Sequence, residues 1–410
     1  MPPPSTYGDR PVVLLTNDDG PPCASSPNIF GFYQLLRERL GWDVKVVIPD
    51  CQKSWVGKAY AISDVITASY FYPLGPDGLT GDITPIRRQL RDGETMEWML
   101  VSGTPASCTN IALHNIYPGQ IDLVISGPNH GRNSSTAFAL SSGTIGAALA
   151  GALSVPIPGP SSSTPSLHTD HIPCIAASYG IVTRPVTSRT MASAHEIAVD
   201  VCRRLWEDWG WEGALGERRP VQVYSVNIPL IEDALKVENR KVCWTKMWRN
   251  TYGQLFKVTN LYVLIILETS APGIDLLDVK PFRPEPSTET GDVRNRPVKS
   301  DPPHIPTTTS STAHAGPAAL PPDDPTTSMD TDSSKPLKFH FAPNMGPLLF
   351  PASEDLPEGT DAWAFAKGFV SVTPMRAEYA GLGEGGCGFR SDEDEGYMDG
   401  RMWNITEGRI

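Results

Sequence analysis

RPVVLLTNDDG, residues 10–20, is the stretch from which the fold can be read. Val12 to Leu15 is an unbroken apolar run, and it passes directly into a polar turn carrying two adjacent carboxylates, Asp18 and Asp19. A short apolar run closed by turn chemistry is the pattern of a strand buried on both faces. Adjacent carboxylates repel, so a chain that keeps both at the end of such a strand needs solvent or a positive partner between them.

Outward from this strand, Phe32, Leu35, Leu36 and Leu40 recur at helical spacing, with Ser26 and Pro27 as a start signal. DVKVVIP (43–49) predicts a second strand, completing a β-α-β unit with a right-handed crossover. EWMLVSGTPASCTNIALHNIY (97–117) reads as strand, turn and helix. Residues 121–153 read as a strand, a long polar loop and an Ala/Gly-rich helix. IPCIAAS (172–178) and VQVYSVNIP (221–229) are further strands. Between them Ala194, Ile197, Ala198, Val201, Cys202 and Leu205 line one face of an amphipathic helix. This alternation predicts an α/β sheet covered by helices on both faces. DAWAFAKGFVSVTP (361–374) reads as a closing strand pair, a C-terminal β-hairpin extension.

The predicted domain therefore spans 8–280 and 337–378. Residues 281–336 hold twelve prolines and many Ser/Thr, a composition with too little apolar surface to offset ordering entropy, and are expected to be a disordered insertion. VLIILET (263–269) is expected to be a buried strand, and 379–410 a flexible Gly-rich and acidic tail. Its GxGxxG at Gly383, Gly385 and Gly388 neither follows a strand nor opens a helix and is read as compositional.

Composition narrows the function. A net charge of −12 over 410 residues argues against binding a nucleic-acid duplex. The seven cysteines are scattered without a CxxC pair, which argues against a disulfide framework or zinc module. No run approaches 18 apolar residues and MPPPSTYGDR lacks signal-peptide character, so a cytoplasmic setting without membrane association is expected. There is no GxSxG, no GxxxxGK[ST] and no HExxH.

Three loops that follow strands are unusually polar: TNDDG (16–20), PDCQKSWVG (49–57) and SGPNHGRNSS (126–135). In open α/β sheets such loops meet at the carboxyl ends of the strands, where ligands bind. Asn-Asp-Asp-Gly is also ordinary turn chemistry. Ser54 alone is a loop serine, and Asn129 could cap a turn. Their convergence would turn Asp18 and Asp19 into ligands for a hard divalent cation. Thr104 before Pro105, and Ser142-Gly143-Thr144 before an apolar helix, are capping signals, and a helix start also favours an anion.

VVLLTNDDG, SGTPASCTNIAL, DLVISGPNHGRN, SGTIGAALAG, IPCIAAS, VNIP and GFVSVTP occur in the order that resembles the SurE survival-protein family of phosphatases and nucleotidases. The chain also resembles fungal proteins in which such a domain precedes a tubulin-tyrosine-ligase-like domain, although no second domain of that kind is read here. The resemblance implies a Rossmann-like fold and hydrolysis of phosphomonoesters, nucleoside monophosphates among them, with Mg2+ or Mn2+. It implies metal ligation by Asp18, Asp19, Ser54 and Asn129, with Asp18 and Asp19 catalytic. It places Asn17, Thr104, Gly131, Asn133, Ser142, Gly143 and Thr144 at the phosphate and substrate end of the pocket. It also implies a homodimer or higher oligomer formed through the C-terminal strands. Three residues depart from the family pattern: Trp55 where a glycine is usual, Pro128 for a branched aliphatic residue, and Ser141 for an aromatic one. An aspartyl-phosphatase of the haloacid-dehalogenase type would need its two aspartates two positions apart, and here they are adjacent. The rival of a different class is a non-catalytic nucleotide- or protein-binding scaffold.

Overall fold

A computed structural model describes residues 10–155, 171–182, 184–212, 219–258, 338–349 and 351–378. VLIILET, the 281–336 insertion and the 379–410 tail lie outside the described residues. The chain divides into two compact units, Met1–Gly253 with Asn344–Ile410, and Gln254–Pro343.

In the first unit β1 (Val12–Thr16), α1 (Ile29–Leu40) and β2 (Asp43–Pro49) form the expected β-α-β unit, with β1 and β2 parallel. Asn28 precedes α1 without a side-chain cap, and Ser26 instead donates to the Gly20 carbonyl at 2.8 Å. The hairpin β3 (Ala68–Leu74) and β4 (Thr80–Thr84) follows. Then come β5 (Trp98–Val101), α2 (Pro105–Ile111) continued by a π-helical turn over Ala112–Ile116, and β6 (Leu123–His130). The polar loop expected after β6 contains a short helix, α3 (Thr136–Ser141), ahead of α4 (Gly143–Ala152). The chain continues through β7 (Cys174–Ile181), α5 (Ser188–Glu207), the small pair β8 (Trp211–Glu212) with β9 (Arg219–Pro220), β10 (Val223–Leu230) and β11 (Val242–Trp244).

In the second unit β12 (Phe256–Val258) and β13 (Phe339–Phe341) pair antiparallel. The first unit resumes with α6 (Gly346–Leu349), α7 (Asp361–Ala366) and β14 (Val370–Met375). The strand pair expected over 361–374 is thus corrected to a helix and one strand. Thr360 caps α7 by accepting from the Trp363 amide at 3.3 Å, and Ala362, Ala364 and Phe365 are buried. Both edges of β14 are paired within the chain, antiparallel to β10 and parallel to β11.

The ten strands of the main sheet run β11-β14-β10-β7-β6-β1-β2-β5-β3-β4. The six-strand centre from β10 to β5 is parallel. β1 sits between β2 and β6, which accounts for its continuous apolar run. Val13 and Leu15 pack into the layer formed with α1 and α5, while Leu14 packs into the opposite layer with α2 and α4. Alternating residues of one strand therefore build both faces, the Rossmann-like arrangement expected.

Candidate active site

Asp18 and Asp19 are buried at the carboxyl end of β1, 3% and 4% exposed. The turn that carries them is closed by Asn17, whose Nδ2 donates to the Gly20 carbonyl at 2.8 Å and whose Oδ1 accepts from the Gly20 amide at 3.1 Å. Gly20 has φ +79°, and a Cβ there would lie 3.0 Å from the Cys51 carbonyl carbon. The turn chemistry of NDDG is therefore real, and it fixes the two carboxylates beside the loop that follows β2.

The three polar loops meet at this pair. The Lys53 amide donates to the Asp18 carbonyl at 2.7 Å. A hydrogen bond from the Gln52 side chain reaches the Asp19 carboxylate. From the third loop the His130 amide donates to Asp19 Oδ2 at 2.7 Å. The N-terminus of α4 addresses the other carboxylate: Thr144 Oγ1 donates to Asp18 Oδ1 at 2.5 Å, and the Gly143 and Thr144 amides hydrogen-bond the same group. A Cβ on Gly143 would lie 2.7 Å from Asp18 Cβ, so only glycine allows this approach. Ser142 caps α4 by accepting from the Ile145 amide at 3.1 Å.

Burial raises the Asp18 pKa against these donors. Asp19 is raised well above the ordinary value by burial and then by the Asp18 charge, opposed by the His130 amide and Gln52. No positive side chain is among the groups that set either value. The site is a pair of desolvated, mutually repelling carboxylates that a cation would satisfy.

β6 aims the remaining oxygen donor. Its register against β7 slips between Ser126 and Asn129. Gly127 has φ +112°, and a Cβ there would lie 2.2 Å from the Ala177 carbonyl oxygen. Pro128 sits in this bulge, where the missing N–H costs no ladder bond, and bulges re-aim side chains beside active sites. Asn129 Nδ2 donates to the Gly131 carbonyl at 2.9 Å, which orients the side-chain amide. Ser54 follows Lys53 on the second loop and is exposed.

Among the described residues no group of three or more His, Cys, Asp or Glu side chains could hold a metal. The site instead offers two carboxylates with neutral oxygens nearby. Carboxylate, amide and hydroxyl oxygens are hard donors that suit Mg2+ or Mn2+. The buried carboxylate pair fits such an ion.

The other expected residues divide. Gly131 (φ +146°) donates its amide to the Tyr179 carbonyl at 3.0 Å. Asn133 is buried, its side chain donating to Ser178 Oγ at 2.9 Å and its amide to Asn227 Oδ1 at 2.8 Å. Thr104 caps α2 by accepting from the Ser107 amide at 3.1 Å, and its hydroxyl donates to the Ala59 carbonyl at 2.5 Å. Thr104 thus anchors the second loop, and its described hydrogen bonds do not reach the carboxylate pair.

Gln52 and Asp361 carry no signal in the sequence reading. Asp361, 1% exposed, accepts from the Ser135 amide at 2.7 Å, the Trp248 amide at 2.9 Å and the Ala362 amide at 2.7 Å. It pins the start of α3, where Ser135 has φ +74°. Two of its three partners, Ser135 and Trp248, are distant in sequence, so only an acidic residue ahead of an apolar helix could have hinted at it.

The family model for Survival protein SurE matches residues 13–254. The chain is 33% identical over 263 residues to the probable tubulin–tyrosine ligase PBY1 of Saccharomyces cerevisiae, covering 60% of this chain and 32% of that one. It is 36% identical over 165 residues to the 5'-nucleotidase SurE of Christiangramia forsetii, covering 40% and 55%. With the 5'-nucleotidase SurE of Desulfovibrio desulfuricans it shares 29% identity over 245 residues, covering 58% and 75%. The chain thus spans 32% and 55% of the first two relatives. A crystal structure of SurE protein from Aquifex aeolicus aligns at 18% identity and a TM-score of 0.47, covering 90% of this chain and 95% of that one. No helix among the described residues is long and apolar enough to cross a membrane. With the family match extending over more than half of its 410 residues, the chain belongs to the SurE family.

Proposed function

We propose that this chain is a divalent-metal-dependent phosphomonoesterase acting on nucleoside monophosphates or related small phosphate esters. The observation that carries the reading is the buried pair Asp18 and Asp19, held by the start of α4 and by two further loops, in a chain of the SurE family. Asp18, Asp19, Ser54 and Asn129 are the residues that would hold the ion. When bound, Mg2+ or Mn2+ supplies charge neutralisation at phosphoryl oxygens and lowers the pKa of water.

The chain's own groups do the positioning. Thr144 and the Gly143 and Thr144 amides oppose the upward shift that burial imposes on the Asp18 pKa and fix the direction of its carboxylate. The His130 amide and Gln52 do the same for Asp19. An aspartate held this way can also accept a proton from an attacking nucleophile. Asn17, Thr104, Gly131, Asn133, Ser142, Gly143 and Thr144 are proposed to shape the phosphate end of the pocket, through the turns and caps they hold. Assembly into a homodimer belongs to the same reading, and light scattering at working concentration tests it.

A panel of nucleoside monophosphates and simple phosphate esters, assayed with Mg2+, Mn2+ and a chelator, tests the proposal. Phosphate release that the chelator abolishes is expected. Nucleotide binding without hydrolysis would replace the enzyme by a binding scaffold.

A further inference from the structure

Trp55 adopts φ +64°, a left-handed conformation that is uncommon for any residue other than glycine and unfavourable for a bulky one. Such an outlier persists only where its surroundings hold it, and it points to a functional constraint. The surroundings here are specific. Two residues before it, the Lys53 amide is bonded to the Asp18 carbonyl. Two residues after it, the Gly57 amide donates to the Ser141 carbonyl at 2.9 Å, directly ahead of the α4 start that holds Asp18. The Trp55 segment therefore bridges the carboxylate turn and the cap of α4.

The indole is half-buried at this bridge. It meets the Phe138 ring edge-on, with centroids 6.2 Å apart and planes at 68°. It also meets the Tyr252 ring at 6.2 Å and 45°. Tyr252 is itself 40% exposed, and its hydroxyl bonds to Ser141 Oγ and the Ala137 carbonyl, so the phenol is anchored while part of its surface stays open. The indole also packs on the apolar cluster of Ala137, Phe138 and Leu348, and with the tilted, partly exposed Tyr252 ring it makes a corner on the loop tied to the Asp18 turn and the α4 start. Two residues of extended chain span at most about 7 Å, so the backbone of Trp55 is held close to the turn that carries Asp18.

Resting on the phosphomonoesterase reading, we propose that Trp55, with Tyr252, is the specificity-determining surface that stacks the planar base of a nucleoside monophosphate. The corner favours a flat heteroaromatic leaving group over an aliphatic one. Stacking on aromatic side chains tolerates any base, so it selects nucleotides as a class without reading base identity.

The test uses the full chain and the variants Trp55→Gly and Trp55→Phe. Glycine adopts a φ of this sign without strain, so Trp55→Gly removes the indole without a backbone penalty, and an unchanged urea midpoint confirms that the loop is kept. The quantity measured is kcat/KM for AMP divided by kcat/KM for glycerol 3-phosphate, with saturating Mg2+ or Mn2+. Trp55→Gly is expected to lower this ratio roughly ten-fold, the loss appearing in KM for AMP, while Trp55→Phe restores most of it. An unchanged ratio overturns the proposal. If the wild type cleaves neither ester, the phosphomonoesterase reading fails, and calorimetric binding decides the stacking surface separately. A preference for AMP over glycerol 3-phosphate that Trp55→Gly removes supports the surface. A preference that persists in the variant, or no AMP binding, overturns it.

Discussion

The Thr144 hydroxyl donates to Asp18 Oδ1 at 2.5 Å across 126 positions of sequence. This bond joins the turn after β1 to the first turn of α4, and with the Gly143 and Thr144 amides it makes the helix start a receptor for the protein's own carboxylate. The anion-binding character of that helix start is directed at Asp18, one of the residues that would hold the metal.

Thr144→Val removes the hydroxyl while keeping the volume. A hydrogen bond to a charged group contributes about 1.5–3 kcal/mol. Mn2+ affinity is therefore expected to fall roughly ten-fold or more. Calorimetric titration with Mn2+ measures it, and wild-type affinity in the variant would show that Thr144 does not hold the ligand.

Asp361 accepts three backbone amides, two on Oδ1 and one on Oδ2. In Asp361→Asn either orientation of the amide turns an NH2 donor toward a donor. The variant should lose on the order of 1–3 kcal/mol of stability, read as a lower urea midpoint. An unaltered midpoint would show that this carboxylate does not pin the start of α3.

His195 is buried on α5, with Nδ1 2.9 Å from the Tyr179 hydroxyl and Nε2 against Gly31, where a Cβ would lie 2.7 Å away. Burial lowers its pKa from 6.5 to about 4. The folded state thus binds fewer protons than the unfolded one between those values, and stability rises with pH across that window. Acidification from neutral pH to about pH 5 should cost on the order of 2 kcal/mol through this residue. His195→Gln should flatten that part of the stability profile, measured by urea unfolding at several pH values. An equally steep profile in the variant would place the acid sensitivity elsewhere.

The sequence already exposes the parts of the site governed by local rules. The Val12–Leu15 run reads as a central strand because both of its faces are covered. Thr104 and Ser142 read as caps because a cap is a short-range hydrogen bond. The β3–β4 hairpin is not visible, since its strands are irregularly buried and alternate poorly between apolar and polar residues. Residues 361–366 mislead because the aromatic Trp363 and Phe365 alternate with alanines in a strand-like period of two, while the Thr360 cap, the helix-forming alanines and the packing of Phe365 select a helix. Asp361 and Gln52 are illegible for a different reason: their partners arrive from other loops, and nothing local marks an acid that will be buried. Trp55 is visible as a departure from the family pattern, but its left-handed backbone and its ring partners appear only in three dimensions.

The central claim is that Asp18 and Asp19 form the metal-dependent hydrolytic centre. Phosphate release from AMP by the wild type and by Asp19→Asn, each with Mg2+ or Mn2+ and with chelator, tests it most directly. The account predicts turnover by the wild type that chelator abolishes, and a loss on the order of a hundred-fold or more in Asp19→Asn with its circular dichroism unchanged. Wild-type turnover by a folded Asp19→Asn protein would contradict it.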